Sequence, residues 1–135
     1  MSHPSSKETC TAEATQQLNL AEQKLAAAKA ELKEAEQKLA AAEQKLAAAK
    51  TELAAAKTEL AAAEQKLAAA KTELAAAKQS NDVNLIESAQ IQLQSATQGV
   101  KTAQDGVTTA QKGVDRADES VSVWSKQCLS LQSGM

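Results

Sequence analysis

The chain has 135 residues and a formal net charge of −2, with no Phe, no Tyr and one Trp. Its hydrophobic fraction of 43% is mostly alanine, which buries little area per residue, so a compact globule would lack the volume to fill its centre. Lys and Glu are interspersed, without the cation cluster or the aromatic platforms that nucleic-acid binding needs, and no apolar run reaches membrane-spanning length.

Residues 1–5 are expected to form a disordered tail. Ser5 followed by Glu8 fits a capping box, with Pro4 just ahead of it. A long helix 1 is expected over 6–78. Leucine falls on every seventh residue there: Leu18, Leu25, Leu32, Leu39, Leu46, Leu53, Leu60, Leu67 and Leu74. Alanine follows three residues after each one, from Ala21 to Ala77. This is the a/d pattern that packs one helix along another. The units are near-verbatim, L-A-A-A-E-Q-K alternating with L-A-A-A-K-T-E, and they are built from strong helix formers. Positions e and g carry Glu or Lys beside the seam, either to select a neighbour's register or simply as a solvated flank.

Residues 79–84, Gln-Ser-Asn-Asp-Val-Asn, interrupt the leucine spacing and read as a turn, with Asn84 and Glu87 offering a fresh helix start. Helix 2 is expected over 85–131, followed by a disordered tail at 132–135. Its a positions are Ile86, Leu93, Val100, Val107, Val114, Val121 and Cys128; its d positions run through Ala89 to Ala117, then Trp124 and Leu131. Gly99, Gly106 and Gly113 all fall at g, and each costs roughly 1 kcal/mol against Ala inside a helix. Two readings are open: the glycines admit close approach of a partner helix, or the repeat copied a tolerated residue.

The expected fold is therefore all-α, an antiparallel helical hairpin (coiled coil), elongated and dimeric; a three-helix bundle would need a turn inside helix 1 that the sequence does not signal. Helix 1 exceeds helix 2 by roughly 20 residues, or about 30 Å at the helical rise. In a simple hairpin Cys128 lies near residue 35, out of disulfide reach of Cys10. Two hairpins joined antiparallel through the overhang, about residues 11–35, would bring Cys10 of each chain to Cys128 of the other, with Trp124 plugging the junction. The two terminal cysteines suggest a disulfide and a secreted protein; a cytoplasmic one with free thiols is the alternative. The overhang could equally receive a different protein partner.

No residue set points to chemistry, so no enzyme, no cofactor and no metal site is expected. His3 is the sole histidine, the cysteines have neither CxxC nor zinc spacing, and the carboxylates lie on helix flanks. The glycines lack the Lys and Ser or Thr of a phosphate loop. The outward face of helix 1 is Ala, Gln and Thr, with Thr51, Thr58 and Thr72 at f. Ala-rich helices with regular Thr resemble fish type I antifreeze proteins in composition. The resemblance covers helix 1 loosely and departs from that family, because these threonines follow the heptad and are interrupted by Gln. It implies ice as a possible ligand of the outer Ala/Thr face. The function expected first is a non-enzymatic rod or spacer that self-associates; ice or other surface binding is the alternative, and lipid-surface association is a third class that the narrow apolar stripe disfavours.

Overall fold

A computed structural model of the chain describes residues 4–134, with side chains from Glu8 onward. The described residues are all-helical and contain no strand: α1 (Pro4–Ser80) and α2 (Val83–Ser133) pack against each other. His3 and most of the expected N-terminal tail lie outside the described residues. Pro4 is itself the first residue of α1, where its missing N–H costs no helical bond, so Ser5 sits inside the first turn rather than capping it. At the other end α2 continues to Ser133, and Gly134 N–H donates to the Ser130 carbonyl at 3.2 Å. The expected C-terminal tail is thus helical over its first two residues.

The turn is shorter than 79–84 and consists of Asn81 and Asp82. Asn81 has φ 59°, the left-handed conformation that ends many helices and that Asn tolerates through its short polar side chain. Its N–H donates to the Lys78 carbonyl (3.3 Å), while Ser80 Oγ donates to Ala77 O (2.6 Å). Asp82, not Asn84, caps α2. Its Oδ1 accepts the N–H groups of Asn84 and Leu85 at 3.0 and 3.5 Å, and its carbonyl takes the first helical bond from Ile86 N–H. The carboxylate is favoured there over Asn because the helix N-terminus attracts negative charge.

The chain divides into two compact units. One contains the turn and spans Glu43–Glu119; the other joins α1 up to Ala42 with α2 from Ser120. Within the turn unit the covered residues of α1 are Leu46, Ala49, Leu53, Ala56, Leu60, Ala63, Leu67, Ala70, Leu74 and Ala77, every one at a or d. Those of α2 are Ile86, Ala89, Leu93, Ala96, Val100, Ala103, Val107, Ala110, Val114 and Ala117, also every one at a or d, together with Gly113 at g. Counting outward equally from the turn, each layer sets a large residue against a small one: Ala77 with Ile86, Leu74 with Ala89, Ala70 with Leu93, and so on to Leu46 with Ala117. Because volume alternates across it, the seam needs little bulk, and most of its residues are only partly covered.

In the second unit the same count places Ala42 with Val121, Leu39 with Trp124, Ala35 with Cys128 and Leu32 with Leu131. Ala35, Ala42 and Cys128 are only 3%, 4% and 6% exposed. The layers grow heavier here, with both partners large at Leu39–Trp124 and Leu32–Leu131. Lys38 Nζ stands 4.8 Å from the centre of the Trp124 ring, a cation–π contact, and also lies 3.4 Å from Glu34 Oε1.

Candidate docking surface

The feature that survives folding without a partner is the N-terminal part of the α1 seam. Every described side chain from Glu8 to Ala27 is exposed, and coverage begins at Ala28. Leu18 and Leu25 at a are 59% and 45% exposed, and Leu20 beside them is 52% exposed. Ala14 and Ala21 at d are exposed with them. The uncovered stretch is therefore shorter than the expected 11–35. Leu32 and Ala35 are already covered, because α2 extends past Cys128 for more than a turn.

This extension also revises the junction. Cys128 lies buried against α1 within its own chain and Cys10 is exposed; both are free thiols, and no disulfide is formed in the chain. Trp124 has Lys38 of its own α1 over its ring and lies nine residues before the end of α2, so it does not stand at the helix end as a plug.

The glycines do not act as close-packing residues within the hairpin. A Cβ built on Gly99, Gly106 or Gly113 would meet nothing within 4 Å. Gly99 and Gly106 instead line an open groove of ≈ 950 Å³ in the turn unit, together with Ala63, Ala70, Ala96 and Ala103, and with Glu59, Lys66 and Glu73 along its α1 rim. Their effect shows in the alanines across the seam. Ala49, Ala56 and Ala63, each facing a Val that follows one of these glycines, are half-covered. Ala35, Ala42, Ala70 and Ala77, whose opposite layers follow Gln127, Ser120, Gln92 and Leu85, are all buried. The sequence marked these glycines but not the direction of their effect.

Among the described residues, the flanking charges of α1 form no ion pair with α2. The facing flank of α2 carries Gln90, Thr97, Gln104, Gln111 and a single charge, Asp118, at e, and Gln92, Gly99, Gly106 and Gly113 at g. The ion pair formed, Lys38–Glu34, lies within α1, with its two side chains 49% and 67% exposed. Register in the hairpin is set by the turn and by the volume of the layers, with the charges as a solvated flank.

Thr51, Thr58 and Thr72 are exposed on the outer face. Each hydroxyl donates to its own helix at the carbonyl four residues back, Ala47, Ala54 and Ala68, at 3.0–3.1 Å. Their donor protons are therefore engaged within the helix. No described helix is long and apolar enough to cross a membrane, and among the described residues no group of three His, Cys, Asp or Glu comes together as a metal site would require. No known protein family matches the chain, and no curated protein is significantly similar to it.

Proposed function

We propose that the protein is a non-enzymatic helical spacer that self-associates through the N-terminal seam of α1. The observation that carries this reading is that Leu18 and Leu25 continue the heptad covered from Ala28 onward, yet stand 59% and 45% exposed. A seam left open at one end has the same chemistry as the seam that is closed, so what covers it should be another helix of the same kind. The near-verbatim heptads support the spacer role. Whole heptads added to both helices would lengthen the hairpin without changing any layer. A homodimer, elongated along the helix direction, follows from this reading, and the terminal exposure of Cys10 is compatible with an oxidising, secreted setting or with a reducing one.

Light scattering coupled to size-exclusion chromatography, over a concentration series, tests the reading. The expected result is a dimer that gives way to monomer in Leu18→Ser/Leu25→Ser with helix content by circular dichroism retained. A wild-type chain that is monomeric throughout the series overturns it. Nothing in the geometry specifically favours ice binding.

A further inference from the structure

We infer that two copies pair antiparallel through this open seam, with Leu18 of each seated against Ala21 of the other; this rests on the self-association proposed above. The argument begins with the layer rule of the turn unit, in which each Leu of α1 faces an Ala and each Ala faces a larger residue. Applied to two copies of α1 running in opposite directions, one register reproduces it. Leu18 faces the partner's Ala21, Leu25 faces the partner's Ala14, and Thr11 faces the partner's Ala28. With their symmetry mates these are six layers, which use the open seam positions from Thr11 to Leu25 and end on Ala28, where coverage within the chain begins. The Thr11–Ala28 layer comes next after Leu32–Leu131, so the partner helix continues the line that α2 leaves.

Charge selects the same arrangement. In an antiparallel pair e lies beside e, and this register places Glu8 beside the partner's Lys29, twice by symmetry. It sets Thr15 beside the partner's Glu22 and Gln17 beside the partner's Lys24, so no like charges meet. Shifting the pair by one heptad, so that Leu18 faces the partner's Ala14, puts Glu8 beside the partner's Glu22. A parallel, in-register pair sets Lys24 beside the partner's Lys29, twice, and stacks Leu on Leu and Ala on Ala. Both alternatives lose on electrostatics, and the parallel one also abandons the alternation of volume. The favoured register brings the partner's residues 4–9, Glu8 among them, level with α2 from Cys128 to its end at Ser133, so one of those two helix ends must give way on pairing.

Two measurements on the full chain test this. Reversing one charge, Lys29→Glu, should weaken the dimer about threefold to tenfold, and adding Glu8→Lys should restore it. In a parallel pair Lys29→Glu would instead tighten the dimer by removing the Lys24–Lys29 repulsion. Spin labels on the native, exposed Cys10, in a Cys128→Ala background, should lie roughly 30 Å apart by pulsed dipolar spectroscopy, since Cys10 comes level with the partner's Lys29. A separation below about 20 Å, or a tighter dimer in Lys29→Glu, overturns this register while leaving self-association standing. A chain that stays monomeric overturns both.

Discussion

Leu18 and Leu25 share their heptad position with Leu60 and Leu67, and each has Ala three residues on; yet the first two are largely in water and the second two are half-covered. Nothing local distinguishes them. The helix former content is the same, the helix is continuous through both, and the flanking charges are of the same kinds. What differs is the presence of α2, whose last layer on α1 is Leu32–Leu131. The comparison separates two roles that a heptad repeat confounds in sequence: stabilising a hairpin, and offering an unfilled copy of the same seam.

The largest expected effect comes from breaking that equivalence. Leu67→Ser removes a covered side chain and places a hydroxyl in the seam, and it should lower the stability of the chain by about 2–3 kcal/mol in denaturant unfolding. Leu18→Ser, measured under monomeric conditions, should change it by less than about 0.5 kcal/mol, because the side chain is already exposed. Equal destabilisation by the two would mean that residues 8–27 fold against the rest of the chain.

A smaller effect sharpens the comparison inside the covered seam. Ala63 is half-covered beside Gly99, whereas Ala70, one heptad along, is 6% exposed beside Gln92. None of the glycines has positive φ, and the space at each Cβ is open, so alanine fits. Gly99→Ala, Gly106→Ala and Gly113→Ala should each stabilise the chain by up to about 1 kcal/mol through helix propensity, with some further gain from shielding the seam alanines. The melting temperature of the triple variant reads the sum. Any net destabilisation would show that bare glycine is required by a helix seated in the groove.

The covered residues of α1 all fall at a or d of the heptad, although Leu18 and Leu25 of the same series stand exposed. Heptad spacing encodes that directly, because it is a property of one helix. The ends were less legible. A cap depends on which side chain reaches a free N–H, and Asp82 and Asn84 were both chemically able to do it; geometry chose Asp82. The overhang is shorter than the sequence suggests because α2 runs to Ser133 and covers α1 beyond the level of Cys128. The glycines suggest close packing, but whether a missing Cβ draws a helix closer or leaves a gap depends on the residue opposite, and nothing lies within 4 Å of a Cβ built at any of the three. Here that is a long charged side chain of α1, such as Lys66 or Glu59, which leaves the space open.

The smallest effect belongs to the heavy end of the hairpin. Leu39 facing Trp124 departs from the large-on-small rule, and the extra bulk is accommodated by leaving Trp124 half-covered, with Lys38 over its ring. A Lys ammonium 4.8 Å from the ring centre, on a side chain 49% exposed, is open to water, so the contact should contribute only about 0.5 kcal/mol. Lys38→Gln removes both this contact and the Glu34 ion pair, while Glu34→Gln removes the ion pair alone. The difference between the two variants in thermal unfolding isolates the ring contact, and the Trp124 emission spectrum should shift in the first and not in the second. Were both variants to shift emission equally, the Lys38 ammonium would be held at the ring by Glu34, and the weight of that end would rest on the Leu39–Trp124 and Leu32–Leu131 layers alone.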